Sequence, residues 1–379
     1  MIRSAVLLSA LIGGCSPAPR GWLVDVHGFV LDAAGDGVSG ASIELSNLDT
    51  ETSIGTVYSD DSGRWSLPLF VSESESELSW ALLVEAELSG YLPSELYWEV
   101  SWRDRTWPAS PHSLGPGQRV DLGALRTPGM VLFEDTGPAS SEAVVQDTTD
   151  GRELAGISVE LRAGWNAPES APVVAQASSK ADGRLSFNLP APGIYTASTE
   201  ASGEYEASLA PLWVGPNAPG DQRILVSPQL VGESLRASLI WRDRARDLDL
   251  HMSGPLASEA GRYQVYVSDT PHPIYGEPVA EMEWFSLNWE TGSVYTLRQG
   301  NYRFSAHDRD FGSETGNTAL SAEEPTLLLW TSSGVFMESL GSGANGTIWQ
   351  GLEYDPDKEV VYRLQGMSEG LNEWDVSAF

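Results

Sequence analysis

A segment of this chain occurs twice, and the repetition limits the available folds more than any other feature. The first copy runs from Val26 to Leu45 and closes on Tyr58-Ser-Asp-Asp-Ser-Gly-Arg-Trp-Ser-Leu67. The second runs from Ala143 to Leu161 and closes on Ala181-Asp-Gly-Arg-Leu-Ser-Phe187. Gly40 aligns with Gly156, and Gly63-Arg-Trp-Ser-Leu67 with Gly183-Arg-Leu-Ser-Phe187. The second copy is longer between its glycines, and the loop Gly164-Trp-Asn-Ala-Pro-Glu169 accounts for the extra residues. Within each copy, Ala41-Ser-Ile-Glu-Leu45 and Ile157-Ser-Val-Glu-Leu161 alternate apolar and polar side chains, the period of a strand with one buried face. Asp-Ser-Gly and Ala-Asp-Gly supply the positive φ that a tight hairpin needs.

The rest of the chain extends the same pattern. Short alternating runs rich in Val, Leu, Trp and Tyr recur between Gly, Pro, Asp and Ser, and no long stretch carries apolar residues at the 3.6 period. This predicts an all-β chain. Length suits two or three domains. The expected order is a signal peptide at 1–14, a tether at 15–21, and three β-sandwich modules in series at 22–128, 129–231 and 232–379. Pro- and Gly-rich boundaries at Trp107–Gly117, Thr127-Pro-Gly129 and Ser227–Gly232 guide these limits, and the acidic run Ser72–Leu78 reads as an exposed loop.

The repeated residues resemble the carboxypeptidase-regulatory-like module, a small transthyretin-like β-sandwich. The matching pattern is Gly-x-Val, Asp-x-x-Gly, Gly-Ala-x-Ile-x-Leu and Asp-x-x-Gly-x-Trp/Phe. The second copy departs from it by lacking the first Gly and by carrying Lys180 where the first has Asp60. The resemblance implies a spacer or binding module and not a peptidase. No His-x-x-Glu occurs, and only His27 and His112 precede residue 250.

From Leu235 the pattern changes. Leu235-Arg-Ala-Ser-Leu-Ile-Trp241 is followed by Asp247-Leu-Asp-Leu-His251, Ser253-Gly-Pro255, Gly300-Asn-Tyr-Arg-Phe304 and Gly346-Thr-Ile-Trp349. This order resembles a β-sandwich domain of bacterial surface proteins, over about residues 233 to 356. The resemblance implies a fold and no activity. Relatives carry an acidic Leu-Asp-x-Asp turn where this chain has Leu287-Asn-Trp-Glu290, so Asn288 and Glu290 replace two acids and weaken any cation site built on that turn.

The stretch Asp247-Leu-Asp-Leu-His251 puts two acids and a histidine on one side of an extended strand, with Leu248 and Leu250 on the other. With His307 these form a candidate metal set, Asp247, Asp249, His251 and His307. Ca²⁺ would use carboxylates and carbonyls, and Zn²⁺ would prefer the histidines. The competing expectation is a strand whose polar side braces loops, with His251 packed on Trp241. Trp-Arg-Asp-Arg occurs at Trp102–Arg105 and again at Trp241–Arg244, which makes Trp102 and Trp241 candidates for stacking on a sugar ring if they are exposed.

The N-terminus reads as Arg3, a short apolar run to Ile12, and then Gly13-Gly14-Cys15. The run is too short for a mature membrane span, which takes about 20 residues, and has the build of an export signal. Ile12-Gly-Gly-Cys15 resembles the bacterial lipobox. The resemblance implies cleavage before Cys15, a diacylglycerol on its sulfur and an acylated amino terminus. The same resemblance implies, from Ser16 in place of Asp, no inner-membrane retention signal and so the outer membrane. An ordinary signal with an incidental cysteine is the other reading. Cys15 is the only cysteine, so no intrachain disulfide can form.

Charge closes off further classes. The formal net charge of −31 excludes a basic nucleic-acid footprint. A P-loop is missing from the sequence, and the short matches Gly366-Met-Ser-Glu-Gly370 (Gly-x-Ser-x-Gly) and Gly35–Gly40 and Gly341–Gly346 (Gly-x-Gly-x-x-Gly) have no helical pattern after them, so they make neither a nucleophile elbow nor a dinucleotide fingerprint. The expected function is that of a non-enzymatic envelope lipoprotein acting as a scaffold or binding protein. It is anchored to the membrane by lipid, has an unidentified protein or glycan partner, and needs no cofactor unless Ca²⁺ is held. The alternatives are a carbohydrate-binding lipoprotein and a hydrolase with an unrecognised site.

Overall fold

The computed structural model describes residues 21–72, 79–101, 125–127, 129–215, 218–220, 222–242, 246–256, 262–267, 272–274, 277–286, 288–308, 318–341 and 344–368. Strands make up 61% and helix 1%, so the all-β expectation holds, and the strands form several separate sheets. Cys15, the tether up to Arg20 and Trp102 lie outside the described residues. Among those described, no helix is long and apolar enough to cross a membrane.

The first copy of the repeat builds β1 (Gly21–Asp32), β2 (Ser42–Asn47), β3 (Thr52–Tyr58), β4 (Arg64–Ser72), β5 (Ser79–Glu87), β6 (Ser94–Ser101) and β7 (Leu125–Arg126), with the short β8 (Met130–Leu132) after it. One sheet runs β4-β1-β7 with β8 also on β1, and the other runs β3-β2-β5-β6. The second copy builds β9 (Ala139–Asp147), β10 (Ser158–Ala163), β11 (Val173–Ser178), β12 (Arg184–Leu189), β13 (Gly193–Thr199), β14 (Ser208–Val214) and β15 (Arg223–Val226). Its sheets run β12-β9-β15 and β11-β10-β13-β14, the same topology strand for strand. In both copies the last strand lies parallel to the first.

The duplication extends to individual hydrogen bonds. Val30 N–H donates to the Gly63 carbonyl at 2.8 Å, as Val145 does to Gly183 at 2.9 Å. The buried Ser59 hydroxyl donates to the Val38 carbonyl at 2.7 Å, as Ser179 does to Leu154 at 2.6 Å. In β4 and β12 strict alternation buries Trp65, Leu67 and Leu69 in one copy and Leu185, Phe187 and Leu189 in the other. The glycines sit where the left-handed backbone demands them, with φ of +75° and +77° at Gly40 and Gly156 and +77° and +67° at Gly63 and Gly183.

The third unit is larger. Its strands are β16 (Leu235–Ile240), β17 (Leu248–Pro255), β18 (Arg262–Val265), β19 (His272–Ile274), β20 (Glu277–Phe285), β21 (Trp289–Val294), β22 (Tyr302–Asp308), β23 (Thr326–Thr331), β24 (Gly334–Ser339), β25 (Ile348–Asp355) and β26 (Val360–Ser368), with one helical turn, α1 (Ala319–Ala322). A six-stranded sheet, β19-β20-β21-β16-β23-β24, and a five-stranded sheet, β18-β17-β22-β25-β26, enclose one core. In the six-stranded sheet β21 and β23 are buried on both faces, which explains the unbroken apolar run Leu327-Leu-Leu-Trp330. Leu327 and Leu329 enter the sandwich core, while Leu328 and Trp330 join a cluster that contains Trp165 and much of the first unit's core.

Both junctions between units are interlocked. The loop that makes the second copy longer docks on β6: Trp165 N–H donates to the Glu95 carbonyl at 3.0 Å, and Tyr97 N–H donates to the Trp165 carbonyl at 3.1 Å. The Trp165 ring is buried. Across the second junction, Trp330 Nε1–H donates to the Ala207 carbonyl at 2.9 Å. Arg236 Nη1 donates to Ser227 Oγ at 2.6 Å and to the Pro228 carbonyl at 3.0 Å, while its Nε meets Glu283 at 2.8 Å. The Arg242 guanidinium lies 4.4 Å from the centre of the Trp213 ring.

Candidate metal centre

Leu248-Asp-Leu-His251 forms the start of β17, the second strand of the five-stranded sheet, with Asp247 just ahead of it. Its antiparallel register with β22 sets Leu248 opposite Asp308, Asp249 opposite His307, Leu250 opposite Ala306 and His251 opposite Ser305. A strand period of two sends Leu248, Leu250 and Met252 into the apolar core and turns Asp249 and His251 to the other face. His307, the direct cross-strand neighbour of Asp249, projects beside them. One ligand atom from each of Asp249, His251 and His307 lies within 4.8 Å of the other two.

That polar face is not a wet one. Asp249, His251 and His307 are only 1%, 2% and 2% exposed. Tyr266 stacks on the His251 ring at 4.8 Å between centroids and 16° between planes. His307 meets the same ring edge-on at 5.6 Å. The Gln264 amide nitrogen lies 2.6 Å from His251 Nδ1, and His251 Nε2 has no hydrogen-bond partner among the described residues. Burial, with His307 beside it, pushes the His251 pKa down to about 3, so the imidazole is neutral at physiological pH. A neutral imidazole is the form that binds a metal ion.

Glu290 has another task. Its buried carboxylate reaches from β21 to accept the Leu250 N–H at 2.7 Å. There β17 has lost its neighbour on one side, because β18 pairs only with Met252–Pro255. The carboxylate therefore completes the strand's backbone hydrogen bonding. Asn288 accepts from Arg223 Nε at 3.2 Å. Neither residue belongs to the group of three, so the Asn288 and Glu290 replacements do not remove a ligand from it.

Three of the four expected ligands thus come together and one does not. Asp247 is exposed, because it precedes the first paired residue of β17. His251 packs on Tyr266 and not on Trp241 as the alternative reading expected. Trp241 is 3% exposed and its indole N–H donates to the Arg246 carbonyl at 3.1 Å, so it offers no face to a sugar. Of the described tryptophans, nine are buried, and the remaining two, Trp213 and Trp284, are half-buried. Tyr266 and Gln264 belong to the site without a motif that announces them in the sequence. Their only trace is the alternating run Tyr263-Gln-Val-Tyr266, which marks a strand without saying what it covers.

The donor set of two imidazoles and one carboxylate is unlike the six to eight oxygens that Ca²⁺ takes. It matches the nitrogen-and-oxygen sets of Zn²⁺ and neighbouring transition metals.

No protein-family model and no curated protein matches the chain. Among solved structures, the shaft pilin SpaA of Lactobacillus rhamnosus GG (E139A mutant) aligns with 56% of this chain and 99% of its own at 12% identity and a TM-score of 0.21. The Bacillus anthracis TIE protein aligns with 76% of this chain and 45% of its own at 15% identity and 0.21. The full-length major pilin RrgB of Streptococcus pneumoniae aligns with 56% of this chain and 49% of its own at 11% identity and 0.21. Superpositions this loose leave the architecture resting on the strand pairings above.

Proposed function

We propose that this chain is a lipid-anchored protein of the bacterial outer membrane that works as a non-enzymatic scaffold. Two regulatory-like sandwiches carry the larger third one at a fixed geometry and present it to a protein partner. The observation that carries this reading is the interlocking of both junctions, by Trp165 and the β6 backbone at one and by Trp330, Arg236 and Arg242 at the other. Flexible tethers between binding modules would show neither buried tryptophans nor a buried arginine network at the joints. The lipobox-like Ile12-Gly-Gly-Cys15 supplies the anchor, and several acyl chains on one residue hold stably to a bilayer.

Fatty-acid labelling and membrane fractionation test the anchor. The wild-type chain is expected to incorporate palmitate and to float with outer-membrane vesicles, whereas Cys15→Ser is expected to lose the label and to remain soluble. A Cys15→Ser protein that still floats with membranes overturns the anchored reading. Turnover of any ester, peptide or glycoside in a broad substrate panel overturns the non-enzymatic one.

A further inference from the structure

The Asp249, His251 and His307 group calls for an explanation that the scaffold reading does not supply. Three ionisable side chains stand together with at most 2% of any of them exposed. A buried nitrogen without a partner costs about 1–3 kcal/mol, and His251 Nε2 is in that state among the described residues, beside the other two side chains. An apolar face on the outer side of β17 would avoid the cost. We propose that Asp249, His251 and His307 form a buried transition-metal site, with Zn²⁺ the expected ion, that clasps β17 to β22.

Several features fit a metal and fit it in a structural role. The ligands come from two paired strands, and Asp249 stands directly opposite His307, so their backbones are fixed before any ion arrives. Two imidazoles and a carboxylate are ligands that Zn²⁺ commonly takes. Asp249 has two oxygens, and using both would fill a fourth position. Tetrahedral ligation at ~2.1 Å sets donors about 3.4 Å apart, so an ion would draw the widest pair, now within 4.8 Å, inward by about 1.4 Å through small side-chain rotations. Gln264 already holds the far nitrogen of His251, the position from which metal-bound histidines are oriented. Ligation through Nε2 requires Nδ1–H, hence a Gln264 amide turned so that its oxygen accepts. Burial of all three ligands closes the ion to substrate, which favours a clasp over a catalytic centre.

The test uses the full chain extracted in detergent, stripped with a chelator, reloaded with equimolar Zn²⁺ and dialysed. About one Zn²⁺ per chain is expected to remain, and a 100-fold excess of Ca²⁺ is not expected to displace it, because Ca²⁺ disfavours nitrogen ligands. His251→Gln and His307→Gln are each expected to weaken Zn²⁺ binding by more than about 100-fold, beyond the usual loss on removing an outer partner of a ligand. Co²⁺ in place of Zn²⁺ is expected to give the intense visible absorption of a tetrahedral site in the wild-type chain. A folded wild-type chain that keeps no Zn²⁺ overturns the proposal. So does retention that Ca²⁺ abolishes or that both substitutions leave unchanged, the signature of adventitious binding to an acidic surface. If the variants fail to fold, the wild-type Zn²⁺ retention and the Co²⁺ spectrum decide the matter.

Discussion

Trp330→Ala is expected to remove about 3–5 kcal/mol from the stability of the third sandwich, the cost of deleting a large buried aromatic. Trp330 is 1% exposed, and its neighbours Leu327 and Leu329 fill the sandwich core while it points the other way. The cavity would therefore open at the junction with the second unit. The Ala207 carbonyl would lose its indole donor at the same time. Calorimetry is the natural readout, because a chain of several units need not unfold in one step. The wild-type chain should melt with its second and third units coupled, and the variant should show the third unit melting earlier and alone. Trp330→Phe keeps most of the ring volume and loses mainly the hydrogen bond, so its cost should be nearer 1 kcal/mol. A Trp330→Ala melt that superimposes on the wild type would show that the junction contributes nothing.

The paired hairpin glycines make a second large-effect prediction, and a graded one. A Cβ on Gly63 would stand 2.3 Å from the Val30 carbonyl oxygen and 2.9 Å from the Gly37 Cα, on a backbone with φ of +77°. Steric collision and backbone strain act together there, so Gly63→Ala should cost about 3 kcal/mol or more. Gly40 has nearly the same φ, +75°, but nothing within 4 Å of the added carbon. Gly40→Ala should then cost only the left-handed penalty, about 1–2 kcal/mol. The second copy repeats the contrast, with Gly183 crowded by Val145 and Glu153 and Gly156 open. Chemical denaturation of the four variants should rank both crowded positions above both open ones. Equal costs within each pair would mean that backbone conformation alone is being measured.

The repeat was legible in the sequence because its information is local. Hairpin glycines, the alternation in β2 and β10, and the strands after Gly63 and Gly183 all lie within a few residues of the turns that fix them. The interlocks were not legible. Gly164-Trp-Asn-Ala-Pro-Glu169 reads as slack between strands, and only the fold reveals that Trp165 is pinned against Glu95 and Tyr97. Alternation in Asp247–His251 sorted the side chains onto faces, but it carries no record of what covers each face. The polar face is covered by Tyr266, which stacks on His251 and is contributed by a segment that the alternation does not point to. The same limit misplaced Asp247, which shares the parity of Asp249 but stands ahead of the paired strand. Trp241 fails as a sugar platform for the related reason that residue type does not fix exposure.

The parallel pairing of last strand with first carries one more implication. Since β7 runs alongside β1 in the same direction, and β15 alongside β9, the backbone arrives at one pole of each sandwich and departs from the opposite pole. A hairpin-type closure would return it to the pole where it began. Each copy is thus a cassette with separate inlet and outlet. Tandem duplication of such a cassette lengthens the protein without disturbing the geometry at either end. Overall length can accordingly evolve by copy number, in steps of roughly one strand length at about 3.3 Å per residue, while the sequence of every individual sandwich stays under its own constraints.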